Sequence, residues 1–487
     1  MKKALFFVVC FLVLLICIPM TSAQAEEAAV YTITMTYNVQ NIGSNKAFNV
    51  VATIDLFGNV SGWGSQEVIS ESITVDGEPI SPEIMVTEDN RWMQISLGDF
   101  EPGQTKTIKV VQVLKVGAVD LNVNPSNVGD SIPQEVLIYT QPVDGLWESN
   151  DPMIQAVAKQ FTDNTNKLYY KAKQIFDQVL EQPSGETLLT YELQNVEHGA
   201  LWALQSKRGD CTEFSNMMVA LMRAAGIPAK VVSGYAFLSL YNPAGASSDA
   251  DKLGHAYVIF YLPNYGWVPA DAVWPRYVGS FGQTDYAHIA GASIAGEGSV
   301  NSNGINWLSP GHISTKFQQY PNQQTTINND FAGGTIEAEI LLSSTLQTPS
   351  QINDGMMTVT LTAKNMGRSD ATNVAAELDL DGSMFEMVTQ KQEKASLVSQ
   401  EQWVTSFDVR VKDSAYGTTQ TIKAKVTFDS ADGGASGTFL STGRIPLAIP
   451  AKPSPPVTAP TQDFTLYIII GAIVAVIVVL GVVIARR

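Results

Sequence analysis

Three residues near the middle of this chain have the types and order that thiol chemistry at a carbonyl requires. Cys211 is the candidate nucleophile, His255 the candidate base, and Asp271 the carboxylate that would orient the imidazole. A thiol attacks an amide carbonyl as its thiolate. A neighbouring histidine takes the thiol proton and later gives one to the leaving amine, while a carboxylate behind the ring fixes its tautomer. Whether the three meet depends on the elements that carry them.

The stretch Arg208-Gly209-Asp210-Cys211-Thr212-Glu213-Phe214 opens a periodic helix, with Phe214, Met217, Met218, Leu221, Met222 and Ala225 on one apolar face. Gly226 ends it and Pro228 prevents its continuation. Asp210 and Glu213 form an Asp-x-x-Glu pair suited to capping the helix start. Cys211 then lies in the first turn, where the positive end of the helix favours a thiolate and the two carboxylates oppose it. The helix alone therefore does not activate the thiol, and a base is needed. Gly254-His255-Ala256-Tyr257-Val258-Ile259-Phe260-Tyr261 reads as a strand that opens with histidine. After the turn Pro263-Asn264-Tyr265-Gly266, a second strand Trp267-Val268-Pro269-Ala270-Asp271 ends in the carboxylate. Two antiparallel strands of this length bring Asp271 beside His255.

Gly209-Asp210-Cys211-Thr212-Glu213-Phe214, then Arg223-Ala224-Ala225-Gly226-Ile227-Pro228-Ala229-Lys230-Val231-Val232 and Gly234-Tyr235, resemble the core of the transglutaminase-like superfamily. His255-Ala256-Tyr257-Val258 and Gly266-Trp267-Val268-Pro269-Ala270-Asp271 continue the resemblance in the family's order. It implies a papain-like α+β fold and a catalytic triad of Cys211, His255 and Asp271. Tyr257 stands where the family often has tryptophan, Lys230 where it has arginine, and Ala272 where proline often follows the aspartate. These departures bear on substrate preference, since none is a triad position.

Other candidates carry weaker patterns. His198, His288 and His312 have no matching partners and are expected to be structural or exposed. Gln205 lies six residues before Cys211, where papain-like proteases carry an oxyanion-hole glutamine, and Trp202 is the nearest tryptophan for a similar role. Asp379-Leu380-Asp381-Gly382 and Asp429-Ser430-Ala431-Asp432-Gly433 hint at calcium but read more simply as hairpin turns. No complete metal-ligand set is present, and no cofactor or metal is expected.

The chain has 487 residues, room for about three domains. Its 30 basic residues against 47 acidic ones give a formal net charge of -17, which argues against a nucleic-acid partner. Residues 1–25 read as a signal peptide: a basic start, an apolar run and Ala23-Gln24-Ala25. Its removal takes Cys10 and Cys17, so Cys211 is the one cysteine of the mature chain. Residues 26–145 and 331–449 read as β-sandwiches flanking a catalytic domain at 146–330. Within that domain Leu168, Tyr169, Ala172, Ile175, Phe176, Val179 and Leu180 form a helical stripe that faces a core. The stretch from about Gly279 to Gln324, rich in Gly, Ser and Asn, reads as a long loop, either lid or connector. Asn41–Leu56 repeats without a gap in Asn365–Leu380, matching at eight of sixteen positions. Both segments resemble Ig-like modules of prokaryotic surface proteins, which space or adhere. They carry no catalytic arrangement, so 146–330 alone is expected to keep the activity of the whole.

Residues 450–465 form a proline-rich stalk, and the uncharged run Leu466–Ala485 has the length of a transmembrane helix, followed by a cytoplasmic tail at 486–487. The expected fold class is thus multidomain: an α+β papain-like core between two β-sandwiches, plus one C-terminal transmembrane helix. The expected placement is a single-pass type I protein of the cell membrane, its ectodomain outside. Three functions fit. One is a thiol enzyme that forms a thioester on an amide, leading to protein-glutamine acyl transfer or deamidation. A thiol peptidase or amidase would use the same triad. A non-catalytic surface scaffold is disfavoured, because all three triad positions are filled. The expected partner is a protein or peptide substrate at the cell surface; the oligomeric state is left open.

Overall fold

The structure, a computed structural model, describes residues 25–87, 90–181, 187–194, 196–237, 247–274, 279–294, 313–347, 349, 351–452, 468–476 and 478. The first β unit grows from the strand Ala28–Asn41, where buried Tyr31, Ile33, Met35, Tyr37 and Val39 alternate with half-buried residues such as Thr32, Thr34 and Thr36. That period of two turns one face of the strand to a core. Thr105–Gly117 pairs with it on one side and Ile327–Ile340 on the other, both antiparallel. Ser65–Val75 and Glu78–Pro79 extend this sheet at one end and Ser247–Asp249 at the other. A second sheet of Ile313–Gln318, Ala47–Leu56, Arg91–Phe100 and Glu83–Val86 contributes Ile54, Met93 and Phe100 to the same core.

Residues 313–340 therefore complete the first β unit, although they follow the central segment in sequence. Position 330 falls inside the strand Ile327–Ile340. The run Asn328-Asn329-Asp330 and the pair Gly333-Gly334 give that strand little apolar alternation of its own, and its register is set by the ladder to Ala28–Asn41.

The sequence repeat has a common structural cause. Asn41 donates from Nδ2 to the Asn45 and Phe100 carbonyls while its Oδ1 accepts from Gly43 N. Asn365 does the same with Ser369, Leu397 and Gly367. Asn49 and Asn373 occupy the left-handed region at φ 50° and 52°, each at an irregularity in its strand. Asparagine tolerates that backbone better than most residues. In the second β unit, Leu342–Gln347, Met356–Asn365, Gln402–Val411 and Phe385–Met387 form one sheet, and Lys391–Leu397, Ala371–Asp379, Thr419–Asp432 and Ala435–Ala448 the other. The two enclose a core that includes Leu361, Val374, Phe407 and Val426.

The central unit is an antiparallel sheet in the order Ser280–Phe281, Gly266–Asp271, Gly254–Leu262, Ala229–Ala236, His288–Ile294. The helices Pro152–Thr162, Leu168–Val179, Ala200–Ser206 and Cys211–Ala224 share one core with one of its faces. There Ala172, Ile175, Phe176 and Val179 of the expected stripe meet Met217, Leu221, Val258 and Phe260. Val232, Tyr257, Ile259 and Ala290 lie on the other face, against Val60 and Trp63 of the first β unit. The stretch expected as a long loop contains Ser280–Phe281, Gln283–Thr284, His288–Ile294 and Ile313–Gln318.

Two expectations are corrected. The described chain is mostly strand with few helices, and among the described residues no helix is long and apolar enough to cross a membrane. In the run Leu466–Ala485, helix is described over 468–476 and at 478. A continuous helix of that extent reaches about 14 Å, against the roughly 30 Å of a bilayer's hydrocarbon core. The C-terminal transmembrane helix in the expected fold class therefore has no support, and neither does the single-pass type I placement. The rest of that run, residues 1–24 of the expected signal, 453–465 of the expected stalk and the tail 486–487 lie outside the described residues.

Candidate active site

Cys211 is the first residue of the helix Cys211–Ala224, and a complete capping box holds it there. The Asp210 side chain accepts from Thr212 N, while Glu213 Oε2 accepts from Asp210 N at 2.9 Å. Glu213 is fully buried, and its Oε1 takes the His198 amide at 2.8 Å. Gly209 permits this closure, because a Cβ there would lie 2.2 Å from the Glu213 Cβ. Cys211 itself is half-buried and is the free cysteine of the described residues. Beside this helix start, burial pushes the Glu197 carboxyl up to about 7, with a hydrogen bond from Asn216 opposing and the Glu213 and Asp210 charges adding to the rise.

The two strands expected to carry the base and the carboxylate pair as antiparallel neighbours. They bring His255 Nε2 to 2.6 Å from Asp271 Oδ2. The Cys211 side chain is a hydrogen-bonding neighbour of the same imidazole. Burial works against charge on this ring. The Asp271 carboxylate and the hydrogen bonds to Asp271 and Cys211 outweigh it and push His255 up to about 10. Burial likewise works to raise Asp271, but His255 and His288 hold its carboxyl well below the usual range. Cys211, His255 and Asp271, named from sequence, are thus placed in one hydrogen-bonded series.

His288 joins them, contrary to expectation. Its side chain is 2% exposed, with Nε2 3.1 Å from Asp271 Oδ2 and Nδ1 2.8 Å from Asp285 Oδ1. Burial opposes its charge, but Asp285 and Asp271 prevail and push His288 up to about 9. Asp285 is fixed in turn, since its Oδ1 accepts from Ala287 N at 2.9 Å and its Oδ2 from Trp274 Nε1 at 3.1 Å. Trp274 packs against both imidazoles, with ring centroids 5.7 Å from His255 and 5.4 Å from His288. Tyr257 lies beside both rings, and burial with the nearby Asp271 and Asp285 charges raises its phenol above the ordinary value, so it stays neutral. The sequence signal for His288 was slight: a carboxylate three residues before a histidine in Asp285-Tyr286-Ala287-His288.

Both β units grip the segment that carries these two residues. Gln66 of the first unit donates to the Ala290 carbonyl at 2.8 Å and accepts from Ala290 N at 2.9 Å. Tyr31 of the same unit donates to Tyr286 O at 2.9 Å. The Tyr286 hydroxyl reaches the second unit, donating to Leu342 O and bonding Ser441 Oγ, each at 2.9 Å. Inside the sheet, Gly234 lets the strand His288–Ile294 close in, since a Cβ there would sit 2.0 Å from Ile289 O.

The other candidates are placed elsewhere. Trp202 stacks on His198 with ring centroids 3.7 Å apart, and Gln205 is exposed. His312 lies outside the described residues. Asp381 accepts from Ser383 within its own turn, and Asp429 bonds Asn373 and Thr438. His255, Asp271 and His288 each offer a ligand atom within 4.8 Å of the others. Hydrogen bonds through Asp271 already account for that approach, and a cation would have to displace the bridging protons.

Residues 155–272, which hold Cys211, His255 and Asp271, match the transglutaminase-like superfamily. This segment is a transglutaminase-like core. A Bacillus subtilis protein described as the uncharacterized protein YebA is 30% identical over 142 residues, 27% of this chain and 18% of that one. A protein-glutamine gamma-glutamyltransferase of Pseudomonas aeruginosa is 39% identical over 67 residues, 14% of this chain and 10% of that one. The chain thus spans less than a fifth of the length of each of these curated relatives. A crystal structure of a candidate cysteine protease from Cytophaga hutchinsonii aligns at 16% identity with a TM-score of 0.41, covering 64% of this chain and 98% of that one. The transglutaminase-like core accounts for the helix start and the two strands. The superfamily match ends at residue 272, before Asp285 and His288.

Proposed function

We propose that this chain is a thiol acyl-transfer enzyme acting on the side-chain amide of glutamine in a protein or peptide. The observation that carries the reading is the series Cys211–His255–Asp271, with the imidazole bonded to the thiol on one side and the carboxylate on the other. The Cys211 sulfur attacks the amide carbonyl, the C–N bond breaks, and His255 delivers its proton to the departing nitrogen, so ammonia leaves and a thioester remains. A primary amine then attacks the thioester to give a cross-link, or water attacks it to give glutamate; either step regenerates the thiol. Asp271 keeps the imidazole oriented and carries the counter-charge. The partial match to a protein-glutamine gamma-glutamyltransferase favours the glutamine amide over a peptide bond.

The test is to incubate the full chain with a glutamine-containing peptide and a fluorescent primary amine, following ammonia release and amine incorporation together. Both are expected with the wild type and neither with Cys211→Ala. Peptide cleavage without ammonia release would replace this reading with that of a peptidase.

A further inference from the structure

We propose that His288 is a positioning residue of this site, bridging Asp271 to Asp285 and thereby fixing the carboxylate that orients His255. The inference rests on the reading of Cys211, His255 and Asp271 given above. Its first support is the proton count. An imidazole that bonds a carboxylate at each nitrogen, here at 3.1 and 2.8 Å, must donate from both, so His288 stands between two anions as an imidazolium. A neutral ring would set one lone pair against a carboxylate oxygen in a site where His288 and Asp271 are 2% and 3% exposed.

The second support is which oxygen His288 takes. Asp271 Oδ1 accepts the Val273 amide at 2.9 Å, and Oδ2 accepts from both histidines. His288 therefore shares with His255 the atom that sets the basicity of the His255 ring. A second cation on that oxygen draws off part of its charge and keeps His255 from holding its proton too tightly to deliver it to a leaving amine. The third support is rigidity: Asp285 is tied to Ala287 N and Trp274 Nε1, and the next strand residue but one, Ala290, is held by Gln66. The groups facing His288 are His255 and Tyr257 on one strand, Asp271 at the end of the next and Asp285 on its own lead-in turn; Tyr31 of the first β unit lies close enough to Asp285 to sense its charge. Among these, Asp271 and Asp285 are the anions that His288 neutralises.

The test uses the full chain with His288→Gln and Asp285→Asn. Alkylation of Cys211 by iodoacetamide is followed across pH by mass spectrometry of its own peptide, so Cys10 and Cys17 do not interfere. His288→Gln is expected to move the alkylation profile and the basic limb of turnover to higher pH, and to lower turnover at neutral pH by roughly 10- to 100-fold, the scale of a misplaced reacting group. Asp285→Asn, which preserves shape, is expected to leave His288 easier to deprotonate and so to move both profiles the same way above neutral pH. In the unmodified protein, imidazole NMR is expected to show protons on both nitrogens of His288 at pH 7. Unmoved profiles in folded variants, or one bare His288 nitrogen, would overturn the proposal. Because alkylation needs no substrate, a chain that fails to release ammonia yet shows these shifts would refute the acyl-transfer reading and leave this one standing.

Discussion

His255 and His288 converge on a single oxygen, Oδ2 of Asp271, at 2.6 and 3.1 Å, with their ring centroids 5.5 Å apart. Two imidazoles this close would repel as cations without the carboxylate between them. Asp271 thus holds the imidazole beside Cys211 and also keeps two buried charges together. Its removal affects both roles.

Asp271→Asn is expected to cut turnover by about 10³–10⁴-fold, since an amide can offer the ring its N–H and stabilise the wrong tautomer. Melting temperature should fall as well, because His255 and His288 lose their shared counter-ion. Steady-state amine incorporation and circular dichroism melts read the two effects separately. An active, equally stable variant would remove Asp271 from the site.

Stability should decline as pH rises above neutrality. His255 and His288 are held at about 10 and about 9 in the folded chain, burial being outweighed by Asp271 and Asp285, against about 6.5 when unfolded. The unfolded chain therefore releases these protons first, so their contribution is full below about pH 6.5 and is lost as pH climbs through 9 to 10. Glu197, raised by burial to about 7, acts with the same sign at lower pH, between about 4.5 and 7. Asp271 and Asp285, both held low, act oppositely: their contribution is present above about pH 4 and is lost on acidification. Thermal melts from pH 6 to 10 should show a fall of several degrees, about 2–4 °C per kcal/mol for a large domain, and a shallower fall in His288→Gln. A flat profile in the wild type would contradict the charged assignments.

Gln66→Leu should destabilise the chain by about 2–3 kcal/mol, because the Ala290 N–H and C=O and the Gly58 carbonyl lose their partner in a buried site. Hydrogen exchange at residues 288–294 should quicken, and turnover should drop although Gln66 lies in another β unit. A segment cut at 146–330 lacks Tyr31, Gln66, Leu342 and Ser441, and it ends within the strand Ile327–Ile340. It is expected to lack activity, against the independence that composition suggested. Full activity in that segment would show the clamps to be dispensable.

The parts of the site legible in sequence are those whose signals are local. The Asp210–Glu213 capping box, the apolar face from Phe214 to Met222 and the turn between the His255 and Asp271 strands each occupy a few consecutive residues. The Asn41 and Asn365 turns were legible as a repeat because each asparagine is bonded within its own loop as well as across the sheet. His288 was hidden because His288-Ile289-Ala290-Gly291-Ala292-Ser293-Ile294 is too rich in small residues to read as a strand. What makes it one is Ala229–Ala236 beside it and Gln66 far away in sequence. The boundary expected at 330 cuts through Ile327–Ile340 for a similar reason, the polar half of that strand being specified by its ladder to Ala28–Asn41.

That last ladder has a consequence for how the protein is made. The strand Ala28–Asn41 emerges from the ribosome about 300 residues ahead of Ile327–Ile340, and one of its edges is paired only when that later strand arrives. At about 5–20 residues per second, the interval is roughly 15–60 s, during which an open strand edge can pair with another nascent chain. Synthesis of the central unit falls within that interval. The closing strand ends at Ile340, two residues before Leu342, the backbone acceptor of the Tyr286 hydroxyl. The second β unit's hold on the turn bearing Asp285 therefore comes only after the ladder has closed, and a nascent chain has Cys211, His255 and Asp271, with the grips from Tyr31 and Gln66, before that further clamp can form.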